Sequence, residues 1–309
     1  MSTTLSLDGI ATLSHWGVIR ARGADAASFL HGQLTSDVAQ LGADQARLAG
    51  YCSAKGRLLA SFVVWKPAAD ELLLACSADL LAPTLKRLSM FVLRAQCKLS
   101  DASAEFVLHG LAGASAQTWL GDATLATLAA PWQRREHAGG SLVRLPDADG
   151  HGRYLWAAAA GTPTPALPAL SLDAWREGEV ASAVPRVEAA TVDQFVPQML
   201  NFELVGGVDF KKGCYPGQEI VARSQYRGTI KRRSFLFEST VPASAGQEIF
   251  HSADPGQPAG LVVNAAGPRV LAEVKLAALD SGSLHLGAVD GPVLVRQPMP
   301  YDVDIDVTA

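Results

Sequence analysis

Beyond residue 234 the chain breaks into short β-type runs, SFLFES, QEIFH, AGLVVNA, RVLAEVKLAAL, SLHLG and PVLVRQ, punctuated by AG, PGQP, AGP, SG and DGP. Short strands at regular spacing, with turn residues between them, specify a small barrel or sandwich. No helix-forming stretch interrupts them before the end of the chain. The expected organisation is therefore a C-terminal β-barrel domain over 234–309 beside a larger region over 1–233.

The larger region reads differently. A strand is expected over Leu13 to Ala21, then a helix opening near Asp25 and running through Phe29 and Leu30. Strands follow over Ala46 to Cys52, Leu58 to Trp65 and, after the Pro67 to Asp70 turn, Glu71 to Ala75. Leu80, Leu81, Leu85 and Leu88 share one face of a helix over Ala78 to Met90. Strands are expected next at Val92 to Leu99 and Glu105 to His109, and a short helix within Leu111 to Leu120. A hairpin is expected around DADG, between Ser141 to Leu145 and Arg153 to Ala157. GTPTPALPAL, Gly161 to Leu170, carries three prolines and marks a connector and sub-boundary. A helix capped by Ser171 then carries Trp175, Arg176 and Val180. This order predicts an α+β sheet layered with helices.

With 309 residues, 49% of them hydrophobic, the chain can bury a large core. Its 26 basic and 30 acidic residues argue against a general coat of positive charge for nucleic acid. The N-terminus lacks the pattern of a signal peptide and no stretch approaches about 18 uninterrupted apolar residues, so the cytoplasm is the expected compartment. Cys52, Cys76 and Cys97 sit in apolar runs and read as small core residues. The seven histidines form no HxxxH or HExxH, which makes a mononuclear metal site unexpected. No Walker A sequence, GxGxxG or GxSxG is present, which weakens ATPase, dinucleotide dehydrogenase and serine hydrolase readings.

The most informative segment is DFKKGCYPGQEIVARSQYRGTIKRR, Asp209 to Arg233. Pro216 suits a first helical turn, Glu219 complements the helix dipole and pairs with Arg223, and Gly228 is a stop. A helix is therefore expected over 216–227, with Cys214 just ahead of it beside Lys211, Lys212 and Gly213. Such surroundings lower a thiol pKa from its ordinary value of about 8.5, so Cys214 is the expected reactive thiol. Seven basic residues, Lys211, Lys212, Arg223, Arg227, Lys231, Arg232 and Arg233, face one acid, Glu219, and are interleaved with Tyr215 and Tyr226. That mixture suits an anionic aromatic ligand: a folate with its glutamate tail, a nucleotide or an RNA loop. Upstream, Asn201 and Glu203 precede the Gly206-Gly207 turn. A carboxylate beside an amide recognises a pterin or purine edge, although Glu203 reads equally as a solvent-facing residue. Arg176 is either a second anion contact or a helix-surface charge.

The run KGCYPGQEIVAR, Lys212 to Arg223, resembles the YgfZ family, a branch of the group that contains the aminomethyltransferase (T-protein) of glycine cleavage. FLHGQLTSDV, Phe29 to Val38, and CSAKGRLLASF, around Lys55 to Arg57, resemble it as well, so the likeness spans essentially the whole chain. The resemblance implies ferredoxin-like sheet-and-helix subdomains around a central hole that receives tetrahydrofolate, with a C-terminal β-barrel. It implies Cys214 as the key residue, with Lys212, Gly213, Gln218, Glu219 and Arg223 as the rest of the motif, and Glu203 in the place of the pterin-contacting glutamate. The implied role is assembly or repair of iron-sulfur clusters, through which tRNA modification is supported indirectly. The implied partners are folate and iron-sulfur proteins or their assembly machinery. Where the aminomethyltransferases carry catalytic aspartates, this chain reads Leu59, Ala60, Ser61, so glycine-cleavage activity is not expected. A folate-dependent methyl or aminomethyl transferase or demethylase stands as the alternative, and direct tRNA binding by the basic segment as a third reading.

Overall fold

The computed structural model describes residues 5–226, 228 and 230–303. In chain order the elements of the larger region are β1 (Gly9–Thr12), β2 (Trp16–Arg22), α1 (Ala26–His31), β3 (Ala46–Cys52), β4 (Leu58–Ala68), β5 (Glu71–Ser77), α2 (Ala78–Ser89), β6 (Lys98–Asp101), β7 (Phe106–Ala112), α3 (Gly113–Leu120), α4 (Asp122–Ala126), β8 (Arg134–His137), β9 (Gly140–Ala148), β10 (His151–Ala159), α5 (Leu172–Ala181) and α6 (Gln218–Tyr226). The remaining strands are β11 (Arg232–Ser239), β12 (Glu248–His251), β13 (Asp254–Ala266), β14 (Arg269–Lys275), β15 (Leu284–Leu286) and β16 (Val293–Arg296).

Two antiparallel five-stranded sheets, ordered β3-β4-β5-β2-β6 and β1-β7-β10-β9-β8, pack face to face. Strand alternation decides what each residue touches. On β4, Val63 and Trp65 point into the core between the sheets, while Phe62 and Val64 point towards α1 and α2. On β10, Leu155 and Ala157 point inward, while Tyr154 and Trp156 point towards α3. The result is four layers, helix, sheet, sheet, helix. Helix α5 starts where Ser171 Oγ accepts from Ala174 N at 3.1 Å and drives Trp175 into the central core. Gly110 makes room for it, since a β-carbon there would lie 2.5 Å from the indole.

The C-terminal strands close a six-stranded antiparallel barrel, β11-β14-β13-β12-β15-β16, as the turn-punctuated runs predict. Phe235, Phe237, Val262 and Val270 fill its interior, while Leu236, Val263 and Leu271 face outward against Val180, Val187, Phe195 and Leu200. Asn264 joins the barrel to the linker after α5: its side chain accepts from Arg186 N at 2.9 Å and donates to Arg186 O at 2.8 Å.

Two local expectations need correction, and one strand has no counterpart among them. The strand expected at Val92 to Leu99 is mostly a turn, and only Lys98–Asp101 pairs. Its backbone is diverted to α1: Gln96 N donates to Asp25 Oδ2 at 2.7 Å and Asp25 N to Gln96 O at 3.0 Å. Strand β8 escapes sequence reading because RREH has no apolar alternation. Helix α6 begins two residues later than expected, because Gly217 has φ +77° and stands outside the helix.

Trp175→Ala is expected to cost about 3–5 kcal/mol. Urea unfolding checks this, through a lower midpoint with an unchanged slope.

Candidate functional site

The three stretches that resemble the YgfZ family lie far apart in the chain, and the fold brings them together around Cys214. The β3–β4 turn meets the loop before α6 through two glycines in left-handed conformations, Gly56 at φ +71° and Gly217 at φ +77°. A β-carbon on Gly217 would lie 2.3 Å from Ser53 O and 2.6 Å from Gly56 Cα, and one on Gly56 would lie 2.8 Å from Ile220 Cβ. No other residue fits either position. The Phe29 to Val38 stretch meets the same segment from α1: Thr35 Oγ1 donates to Gly207 O at 2.5 Å, and Asp209 N donates to Thr35 O at 2.9 Å.

Lys212 fastens the loop. Its ammonium donates to His31 O at 2.6 Å and Gly213 O at 3.1 Å, and lies 4.7 Å from the Tyr215 ring centroid. Burial lowers its pKa to about 8, partly opposed by Asp37, Asp209 and Cys214. His31 in turn holds Asp37 through Nδ1 at 3.0 Å. Cys214 is exposed, Cys52 and Cys76 are buried with thiol pKa values pushed up to about 12, and Cys97 is half-buried. Among the described residues no group of three or more His, Cys, Asp or Glu side chains is placed to hold a metal ion.

The other motif residues have different fates. Gln218 opens α6, and Glu219 and Arg223 form an exposed i,i+4 pair at 3.6 Å. Such a pair contributes only tenths of a kcal/mol, about 0.3–0.5. Two of the basic residues are not free to meet a ligand: Arg232 pairs with the buried Glu273, and Arg233 pairs with Glu203. Glu203 is therefore not solvent-facing. Burial raises its pKa against the opposing effect of Arg233, and one carboxylate oxygen has no hydrogen-bond partner. Asn201 is fully buried, donating to Ser234 O at 2.7 Å and accepting from Arg233 at 3.4 Å. Arg227 lies outside the described residues.

Arg176 belongs to another place, a cleft where the two sheets, α5 and the barrel meet. Neither Glu203, Asn201 nor Cys214 lines it. Its floor is a charge network that sequence reading misses, because the residues come from five separate elements. Glu179 Oε1 accepts from Trp16 Nε1 at 2.8 Å and Trp175 Nε1 at 3.0 Å, and Oε2 lies 2.9 Å from His15 Nε2. Burial raises the pKa of Glu179, but Arg186, His15 and Arg153 outweigh it and bring the value down to about 2. Arg186 also donates to Glu188 Oε1 at 2.9 Å, which accepts from Asn264 at 3.0 Å as well. Arg153 is 3% exposed, stacks 4.7 Å from the Trp175 ring and has no hydrogen-bond partner at Nε. Burial lowers its pKa to about 10. Arg176 is the one sequence signal for this cleft; nothing local distinguishes Arg186 and Glu188 from other charged residues.

Known proteins give the arrangement a context. No protein-family model matches the chain. The tRNA-modifying protein YgfZ of Escherichia coli O45:K1 is 28% identical over 312 residues, spanning 96% of this chain and 94% of that protein. YgfZ of Vibrio vulnificus CMCP6 is 31% identical over 244 residues, spanning 76% of this chain and 72% of that protein. Among solved structures, the glycine cleavage system aminomethyltransferase T from Bartonella henselae superposes with a TM-score of 0.69 at 16% identity, over 95% of this chain and 86% of the other. That likeness establishes a shared fold.

The Glu179 network makes acid stability predictable. Its folded pKa of about 2 lies below the ordinary value of 4.5, so the unfolded chain binds more protons between them. The stabilisation is present above about pH 4.5 and is lost as pH falls towards 2. Glu179→Gln should lower stability at neutral pH and flatten this acid limb, as read by chemical denaturation across a pH series.

Proposed function

The chain belongs to the YgfZ family, and from that premise we propose that it is a folate-binding accessory protein for iron-sulfur cluster assembly or repair. In this reading tetrahydrofolate occupies the cleft between the sheets, Cys214 performs the thiol chemistry elsewhere, and tRNA modification is supported indirectly through cluster-containing enzymes. The observation that carries the proposal is the separation of the two places: the exposed thiol does not line the cleft.

The residues of the cleft fit a folate. Its walls are largely apolar with a few convergent charged groups, the make-up usual for small-molecule sites. Trp16 and Trp132 offer aromatic surface. Glu188 lines the cleft and, although its Oε1 already accepts from Arg186 and Asn264, its carboxylate has further lone pairs for pterin ring N–H and amino donors; Glu203 does not line the cleft. Arg153, with its unpaired Nε, and Arg176 suit the carbonyl and carboxylate oxygens. Tetrahydrofolate, when bound, supplies nitrogens that carry a one-carbon unit.

The chain's own groups favour binding over turnover in that cleft. Glu179, with a pKa of about 2, is a weak base at neutral pH. On β4, where the aminomethyltransferases carry catalytic carboxylates, Ala60 is buried and Ser61 Oγ accepts from Val187 N at 2.9 Å. The alternative, a folate-dependent transferase or demethylase, requires an acid or base that these positions do not offer.

Titration calorimetry with tetrahydrofolate tests the assignment. Glu188→Gln should weaken binding by about tenfold or more, the loss of one charge-assisted hydrogen bond, whereas Glu203→Gln and Cys214→Ser should bind as the parent protein does. Cys214→Ser should nevertheless fail to restore iron-sulfur enzyme activity in cells lacking the protein. Absence of binding in the parent protein would remove the folate reading, and folate-dependent turnover of glycine, sarcosine or dimethylglycine would favour the transferase.

A further inference from the structure

A second cleft, open to solvent, lies against the other face of β3. Strand alternation separates the two: Leu48 lines the cleft between the sheets, and its neighbour Arg47 lines this one. The two linings have no residue in common, so a ligand in the second cleft is independent of folate in the first.

The chemistry of this cleft is incomplete without a ligand. Arg47 Nε is buried without a hydrogen-bond partner, and among the described residues its guanidinium makes no ion pair. Lys211, exposed, adds an ammonium that likewise makes no ion pair among the described residues. The one carboxylate on the lining, Asp209, accepts from Lys211 N at 2.8 Å. Two aromatic rings complete the wall: Tyr226, 69% exposed, meets Phe210 edge to face with centroids 5.8 Å apart. A large aromatic left this open on a short helix gains nothing from the fold. It offers a face on which a planar group can stack.

We propose that this cleft binds a nucleoside phosphate, the base against Tyr226 and Phe210 and the phosphate between Arg47 and Lys211. Arginine with free guanidinium nitrogens recognises phosphate oxygens in a fork, and a neighbouring ammonium adds a point charge. Base stacking on aromatic side chains is tolerant of sequence and suits a shallow, open site. Lys211 also lies three residues before Cys214 in the chain. The ligand is either a free nucleotide or one unit of an RNA strand.

Fluorescence anisotropy with a short labelled single-stranded RNA, in competition with uridine and adenosine 5′-monophosphates and with inorganic phosphate, tests the proposal. The RNA should bind, and Tyr226→Ala and Lys211→Gln should each weaken it by about tenfold, the range expected for loss of one stacked base or phosphate contact. Arg47→Gln should lower the dependence of log affinity on log salt by about one unit. Tyr226 is exposed, so its alanine variant should unfold at the parent temperature and the binding loss is separable from misfolding. Competition by the monophosphates at concentrations similar to the RNA identifies a free nucleotide as the ligand, and competition only by RNA identifies a strand. No binding, binding unchanged in Tyr226→Ala and Lys211→Gln, or equal competition by inorganic phosphate would overturn the assignment.

Discussion

The carboxylate of Glu179 is the point on which the architecture turns. It gathers His15 and Trp16 from the turn entering β2, Trp175 from its own helix, and Arg186 from the linker, 3.8 Å away. Arg186 extends the chain of contacts to Ser77 Oγ at the end of β5 and, through its backbone, to Asn264 of the barrel. Both sheets, α5 and the barrel are therefore tied to a single charge. Burying a carboxylate is costly unless cations and hydrogen-bond donors surround it, and here three basic groups and two indoles do so. Glu179 and Arg186 also line the cleft at the meeting point of these layers.

A different principle shapes the thiol loop. Charge plays a smaller part there than backbone contact: two glycines in left-handed conformations let the β3–β4 turn and the approach to α6 touch. Lys212 then locks the loop to the end of α1, and Cys214 is left outside, exposed. One place is built to enclose a ligand and the other to present a sulfur. Because the two rest on opposite faces of the first sheet, ligand capture and thiol chemistry need not share atoms. That division is what supports the proposal of an accessory protein over a transferase.

Much of this was legible in the sequence because it depends on local pattern. The barrel follows from turn residues at regular spacing, β3 from a β-type run, and the hairpin of β9 and β10 from the DADG turn between two such runs. Ser171 marks the start of α5 through its hydroxyl. Cys214 stood out through its basic neighbours, which the structure keeps beside it. What could not be read is the partner of each charge. Arg232 and Arg233 look like surface cations in the sequence; the pairing of β11 with β14 brings Arg232 to Glu273, and the packing of the turn at residue 203 against β11 brings Arg233 to Glu203. The family resemblance assigns Glu203 the pterin role, and the fold pairs it with Arg233 away from the cleft lining. The cleft instead carries Glu188, next to an arginine that nothing local distinguishes. The turn at 90–97 misled for a related reason, since its Gln96 amide bonds to Asp25 about seventy residues earlier.

The central claim is that folate and thiol occupy separate places, and the most direct measurement is the rate of Cys214 alkylation by iodoacetamide with and without saturating tetrahydrofolate. Mass spectrometry follows each cysteine, with the buried Cys52 and Cys76 serving as internal controls for unfolding. An unchanged Cys214 rate, with both buried thiols unreacted, is the predicted result. Protection of Cys214 by folate while the controls stay silent would place the ligand against the sulfur and contradict the account.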